Sequence, residues 1–360
     1  MNRVHNFSAG PSALPLPVLQ QAAEELVDFR GAGASLLELS HRGKRYDTVH
    51  RECTEDLATL LGLGDDHVIL FMGGGARTQF ALVPTNLLPD GGRAGYVNTG
   101  TWSTGALGEA RKLGDAVELW SSADQNFDRV PRPEQLEVPP DLAYLHYTSN
   151  NTIYGTQFDY VPESNGAPLV CDMSSDILHR PVDVSKFGMI YAGAQKNLGP
   201  AGVTVLVIRR DLLERSPSDL PELWSYPRIA AKDSMLNTPP VYAIYMVGLV
   251  AKHLLARGGA EAAWTVNQRK AEALYGAIDA TEFWTGHALK DSRSMMNVTF
   301  RSPSDELDAT FVSEATQAGM IGLKGHRSVG GLRASIYNAV SEDSVKTLVS
   351  FMEEFERTRG

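Results

Sequence analysis

The sequence predicts an α/β protein, with a large domain built around a mostly parallel seven-stranded sheet and a smaller α+β domain after it. Three observations carry this. Short apolar runs alternate with helix-like stretches as far as Arg210, the pattern of strands joined by crossover helices. Several runs are apolar on successive residues rather than alternating, which suits strands covered on both faces. After Arg210 the pattern changes, and Pro221, Pro227, Pro239 and Pro240 punctuate a loop-rich stretch.

The strand candidates, in order, are His67–Met72, Ala94–Asn98, Ala116–Trp120, Leu142–Tyr147, Leu169–Met173, Met189–Ala194 and Val203–Ile208. Helical patterns at Thr78–Leu88 and Thr101–Leu113 fill two of the gaps. A long helical pattern follows at Val241–Leu255 and stops at Arg257-Gly258-Gly259, a helix end and a domain boundary. The second domain then reads helix (Glu261–Ile278), strand (Met295–Arg301), helix (Asp305–Ala318), strand pair (Leu323–Tyr337) and helix (Ser341–Glu354).

Composition narrows the function. The 360 residues carry a net charge of −10, so phosphate backbones and acidic lipid surfaces repel the chain, and neither nucleic acid nor membrane is an expected partner. Two cysteines, Cys53 and Cys171, supply neither a disulfide framework nor a zinc quartet. No histidine sits at metal-ligand spacing, so no metal is expected. The stretch Met1 to Val18 is broken by Pro11, Pro15 and Pro17 and lacks the apolar core of a secretory signal. A cytoplasmic location is the expectation. Walker-type phosphate loops, G-x-S-x-G and H-E-x-x-H are all absent.

Three features fall at predicted strand ends. Gly73-Gly74-Gly75-Ala76-Arg77-Thr78 joins a strand to a helix; glycines admit an anion to the backbone, and a helix start favours a phosphate. The same string also reads as a plain tight turn. Asp172 ends the run Leu169-Val170-Cys171, at the sheet edge where ligands bind, or else caps the turn Met173-Ser174-Ser175. Lys196 lies in Tyr191-Ala192-Gly193-Ala194-Gln195-Lys196-Asn197, among small residues without flanking charge. Desolvation there makes a lysine amine nucleophilic, although a solvated surface lysine is the commoner case. Taken together the three match what pyridoxal phosphate needs: an amine for covalent attachment, a carboxylate for the pyridine nitrogen and a cradle for the phosphate. Trp102, at another strand-to-helix junction, is either a ring-stacking residue or a core aromatic.

Two His-Arg pairs complete the set. His41-Arg42 lies in a string, His41 to Arg45, read as a loop, and His326-Arg327 lies in the second domain ahead of Arg333. Arginine forks bind carboxylate and phosphate. The pairs suit a doubly anionic substrate, or else are solvated loop faces.

These residues sit in longer strings that resemble the phosphoserine aminotransferase family of class-V, fold-type I pyridoxal phosphate enzymes. The strings are Phe7-Ser8-Ala9-Gly10-Pro11, Ser40-His41-Arg42-Gly43-Lys44, Gln79-Phe80, Tyr191 to Asn197, Asn237-Thr238-Pro239-Pro240, Lys324-Gly325-His326-Arg327 and Gly330 to Asn338. The resemblance runs over essentially the whole chain. It implies the PLP-transferase fold, with residues 16–258 as the large domain, 259–360 as the small one and 1–15 packed against the small domain.

It also implies roles. Lys196 is the Schiff-base lysine and proton shuttle, Asp172 pairs with the pyridine nitrogen, Trp102 stacks on the ring and Thr152 bonds its phenolic oxygen. Ala76, Arg77 and Gln195 hold the phosphate, joined by Asn237 and Thr238 from a second subunit of a homodimer with composite sites. Arg333 takes the substrate α-carboxylate, and His41, Arg42, His326 and Arg327 take the distal anion. The implied reaction is ping-pong transamination between L-glutamate and 3-phosphohydroxypyruvate, with 4-phosphohydroxythreonine of vitamin B6 synthesis as a second substrate. At Thr78, where the family often has Gly, a β-branched residue disfavours positive φ, so that position is expected to be helical or the turn to differ.

Rival readings make other demands. A cysteine desulfurase needs a nucleophilic cysteine on a mobile loop, whereas Cys171 falls in a strand and Cys53 in a helical pattern. An alanine–glyoxylate transaminase has no use for two distal His-Arg pairs. A non-catalytic anion binder of this fold has no need of Lys196.

Overall fold

The structure, a computed structural model, describes residues 3–360. Its large sheet holds β1 (His67–Gly73), β2 (Arg93–Asn98), β3 (Asp115–Ser121), β4 (Leu142–Thr148), β5 (Leu169–Asp172), β6 (Met189–Gly193) and β7 (Val203–Arg209), in the order β1-β7-β6-β5-β4-β2-β3. Neighbours pair in parallel except around β7, which runs antiparallel to both β1 and β6. This is the mostly parallel seven-stranded sheet that the sequence predicts.

The strands are apolar on both faces because both faces are covered. Val97, Leu145, Cys171, Ile190 and Val205 look into one core, packed with α2 (Lys44–Leu61) and α5 (Val241–Ala256). Tyr96, Tyr144, Val170, Met189 and Leu206 look into the other, packed with α3 (Gln79–Leu87) and α4 (Thr101–Leu113). Leu16–Glu24 forms α1. The two helices of the first core approach closely at Gly248, where an added Cβ would sit 3.2 Å from Cys53 Cβ.

Two expectations are corrected. Lys44 and Arg45 are not loop residues but the first turn of α2, whose buried Tyr46, Val49, Cys53 and Leu57 recur at helical spacing. The predicted strand pair at 323–337 is a single strand, Leu332–Ser335, preceded by a loop anchored through one bridge from Lys324 to Leu332. Gly330 and Gly331 take φ of +73° and +62°, a left-handed backbone that breaks a strand.

The C-terminal part packs α6 (Gly259–Asp279), α7 (Asp305–Gln317) and α8 (Glu342–Arg359) against a three-stranded antiparallel sheet, β8 (Thr285–Gly286), β9 (Asn297–Arg301) and β10 (Leu332–Ser335). Ser304 and Ser341 cap α7 and α8 by accepting from the amides of Leu307 and Ser344. Gly258 and Gly259, with φ of +95° and +68°, turn the chain from α5 into α6. The leading segment lies along this part: His5–Asn6 pairs in parallel with Met320–Ile321, and Phe7 is buried in the core of α6, α7 and α8. No helix among the described residues is long and apolar enough to cross a membrane.

Candidate active site

Topology puts the predicted residues on one edge. Parallel strands β1, β2, β4, β5 and β6 all finish there; Asp172 is the last residue of β5, Trp102 opens α4, and Ala76, Thr152 and Lys196 follow β1, β4 and β6. Ligands in open α/β sheets bind at that carboxyl edge.

Lys196 Nζ donates to Thr152 Oγ1 at 2.7 Å and stands 5.9 Å from the Trp102 ring centroid. Its amine is pushed down to about 8, first by desolvation and further by the Arg333 charge, while Asp172 and Asp176 pull it back up. The residue is half-buried, with its tip enclosed and its edge open to the site. An amine poised near neutrality is a usable nucleophile and proton carrier.

Asp172 is 5% exposed. Its Oδ1 accepts the Ser174 amide at 2.9 Å, so one oxygen caps the turn. The other oxygen has no hydrogen-bond partner in the chain, yet it is not among the sealed, unpartnered atoms and so still meets open space. Burial raises this carboxyl, and the Ser174 hydrogen bonds and Lys196 lower it again. A carboxylate with one free oxygen suits a protonated ring nitrogen.

Arg333 lies on β10, in the C-terminal part of the chain. Its Nη1 donates to the Thr152 carbonyl at 3.2 Å, and its Nε is buried without a partner. Trp102 Nε1 is likewise buried and unpartnered. Polar atoms buried without partners are costly, and both side chains flank the lysine, Arg333 through Thr152 and Trp102 across 5.9 Å. That is the fit expected of a polar heterocycle and its substrate.

The turn after β1 is the one that the sequence offers as a phosphate cradle. Gly74 has φ +98°, Gly75 is extended and Ala76–Thr78 form one helical turn running into α3. Thr78 is itself helical, at φ −59° and ψ −31°, so the β-branched residue is accommodated without strain. First-turn amides lack intrahelical acceptors. Arg77 is exposed, Ala76 buried and Gln195 half-buried.

The distal set is divided. His41 and Arg42 line a cavity of about 400 Å³ with Asp47, Lys232, Met235 and Leu236, next to Asn237 and Thr238. Lys196, His326 and Arg327 are not part of its lining. His326 lies instead in the Gly325–Gly331 loop, held by a 2.7 Å contact with Ser328 Oγ and pushed down by burial and by the charges of Arg333 and Arg327. One chain thus assembles Lys196, Asp172, Thr152, Trp102, Arg333 and the His326-Arg327 loop, and it leaves His41, Arg42, Asn237 and Thr238 as a second group.

Several residues near the site escaped the sequence reading. Ser12 Oγ donates to the Lys196 carbonyl at 2.7 Å, and the Ser12 amide donates to the Gln195 carbonyl at 3.1 Å. Gly10 lies against the lysine stem, where an added Cβ would come within 3.2 Å of Lys196 Cγ. Asp176 is a second buried carboxylate, four residues beyond Asp172. A glycine and a serine in the leading segment give no local signal of a partner 184 residues away. The Asp176 signal, a second acid in the loop after a strand-end acid, was present in the sequence.

Comparison with known proteins agrees. Residues 4–348 match the family model described as Aminotransferase class-V. The chain is 56% identical to the phosphoserine aminotransferase of Desulfatibacillum aliphaticivorans, over 100% of this chain and 99% of that one. Identity to the corresponding protein of Geobacillus kaustophilus is 52%, with 99% of each chain covered. Among solved structures, the phosphoserine aminotransferase from Bacillus circulans subsp. alkalophilus superposes with a TM-score of 0.97 at 50% identity, covering 99% of both chains. A pyridoxal-phosphate-bound phosphoserine aminotransferase from Trichomonas vaginalis gives 0.93 at 38% identity, covering 98% of this chain and 100% of that one.

Proposed function

Because the chain belongs to the class-V aminotransferase family, we propose that it transfers an amino group reversibly from L-glutamate to 3-phosphohydroxypyruvate, giving O-phospho-L-serine and 2-oxoglutarate. It is a pyridoxal-phosphate-dependent transaminase, similar in sequence and structure to phosphoserine aminotransferases. The observation that carries the reading is the convergence of Lys196, Asp172 and Arg333 around Thr152 at one sheet edge.

Pyridoxal phosphate supplies an electron sink for the pair left when an amino acid loses its α-proton. Lys196 would anchor it covalently and, as a free amine, would move the proton at the α-carbon. Desolvation, which brings its amine down to about 8, leaves a useful free-base fraction at neutral pH. Asp172 would hold the proton on the ring nitrogen. Trp102 would stack on the ring, and Thr152, whose hydroxyl accepts from Lys196, would bond the phenolic oxygen. Ala76, Arg77 and Gln195 would hold the phosphate.

Arg333 orients the α-carboxylate with the guanidinium donors that the Thr152 carbonyl leaves free. Substrates then differ only at the far end, a γ-carboxylate or a phosphate. His326 and Arg327, with His41 and Arg42 of the partner subunit, meet both in turn, which makes the reaction ping-pong at one site. Asn237 and Thr238 of the partner subunit complete the phosphate site. The separation of these two groups within one chain supports a homodimer with composite sites. The same anion site suits 4-phosphohydroxythreonine, and with it a part in vitamin B6 synthesis. Residues 1–15 with 259–360 act as the unit that brings Arg333 to the large domain, residues 16–258. A cytoplasmic location fits two buried free cysteines.

The test is a coupled assay with phosphohydroxypyruvate and either glutamate or alanine as donor. Glutamate is expected to be used and alanine not; Lys196→Ala abolishes turnover, and Arg42→Ala chiefly raises KM. Turnover retained by Lys196→Ala, or equal use of alanine, contradicts the proposal.

A further inference from the structure

The proposed reaction leaves one buried acid without a task. Asp176 is 5% exposed and lies in the turn that Asp172 begins. The Met295 amide donates to Gln157 Oε1 at 2.9 Å, so the amide nitrogen of Gln157 must point the other way. That nitrogen has two hydrogens and two neighbours at 3.0 Å, Asp176 Oδ2 and His179 Nε2. His179 Nε2 is therefore an acceptor, and its Nδ1–H donates to the Asp176 carbonyl. Ser149 Oγ donates to the remaining oxygen, Asp176 Oδ1. Burial raises this carboxyl, and the hydrogen bonds from Ser149 and Gln157 and the charges of Arg180 and Lys196 lower it again.

The same residues tie this acid to Asp172. The Ser149 amide donates to the Asp172 carbonyl at 3.1 Å, and Ser149 Oγ lies 3.2 Å from that carbonyl. We propose that Asp176 is a second carboxylate of the site, a positioning residue whose negative charge favours cations at Lys196 and at the ring nitrogen facing Asp172 without touching either. That charge is buried, where it acts more strongly than at the surface.

The groups around it keep that action readable. His179 is pushed down to about 3 by burial and stays neutral. Burial pushes Tyr147, Cys171 and Tyr337 up, so they stay neutral as well. Arg180 holds its guanidinium on the Phe158 and Asp159 carbonyls. Asp172 is the like charge, and Lys196 is the one neighbour that titrates near neutrality, with Asp176 raising it.

The experiment measures the Lys196 titration in apoprotein by competitive acylation across pH, read by peptide mass spectrometry. Asp176→Asn is expected to lower the Lys196 midpoint, which at pH 7 speeds its acylation by about three- to ten-fold. Asp176→Glu restores the wild-type midpoint. Ser149→Ala, which keeps the charge, moves it by less than a third as much. In holoenzyme the pH midpoint of the visible absorption band moves in the same direction in Asp176→Asn. A variant that only loosens the loop loses melting temperature and leaves the midpoints in place; that result overturns the proposal, as do equal shifts in Ser149→Ala and Asp176→Asn. Should Asp176→Asn not fold, infrared spectra of wild type with ¹³C-labelled aspartate decide: no protonated buried carboxyl band at pH 7 upholds the proposal, and such a band refutes it. The holoenzyme arm rests on the transaminase reading, and the apoprotein arms do not. Failure of wild type to bind pyridoxal phosphate therefore defeats that reading alone, and an unmoved Lys196 midpoint defeats this one alone.

Discussion

Replacing Arg333 by Gln removes one positive charge from beside the lysine and keeps a side chain of similar reach. Thr152 accepts from Lys196 Nζ through its hydroxyl and from Arg333 through its carbonyl, which places the two charges on the order of 7 Å apart; at an effective dielectric of about 20 their repulsion is roughly 2 kcal/mol. One pH unit corresponds to about 1.4 kcal/mol. The sign follows from the charge: a neighbouring cation disfavours the ammonium, so removing it raises the lysine above its value of about 8. The midpoint in Arg333→Gln apoprotein should rise by about one and a half units, and acylation of Lys196 at pH 7 should slow roughly thirtyfold, since the free-base fraction falls in proportion. Competitive acylation from pH 5 to 10 with peptide mapping reads this directly. Arg333→Lys keeps the charge and should hold the midpoint near wild type. If Arg333→Lys moves it as far as Arg333→Gln, hydration of an opened site is responsible and the electrostatic account fails; a fall in Arg333→Gln refutes it outright.

Two further expectations concern the scaffold. Lys270 is 1% exposed and donates to the carbonyls of Ile336 and Tyr337 at 2.8 Å and of Val340 at 3.1 Å; Lys270→Met should cost about 2–4 kcal/mol of unfolding free energy by leaving these acceptors bare, and a urea midpoint equal to wild type would show that they find other donors. Gly100 opens α4 at φ +152°, and an added Cβ would lie 2.2 Å from Asn151 Nδ2; Gly100→Ala should displace the helix start that carries Trp102, cost about 2–4 kcal/mol and weaken pyridoxal phosphate binding, whereas unchanged binding would mean that Asn151 simply yields.

The sheet was legible because its strands are buried on both faces and so read as unbroken apolar runs, from His67 to Arg209. Lys196 and Asp172 were legible for a related reason: a charge ending such a run lies at the sheet edge. Asp176 looked like an ordinary turn residue, since its donors Ser149 and Gln157 lie 27 and 19 residues away and only tertiary structure joins them. The hold of Ser12 and Gly10 on the lysine is equally non-local. The loop at Gly325–Gly331 was mistaken for half of a strand pair because its glycines were weighed less than the apolar residues beside them. His41 and Arg42 could be named as a pair, but nothing in one chain brings them to Lys196. That step follows from the resemblance and the proposed dimer.

The central claim is that Lys196, facing Asp172, is the amine that carries the cofactor. Protein incubated with pyridoxal phosphate, reduced with borohydride and digested should carry the pyridoxyl mass on the peptide containing Lys196 and on no other, with Lys270, whose amine burial also brings down to about 7, left unlabelled. A label on Lys270, a spread over surface lysines or no label at all would contradict the account.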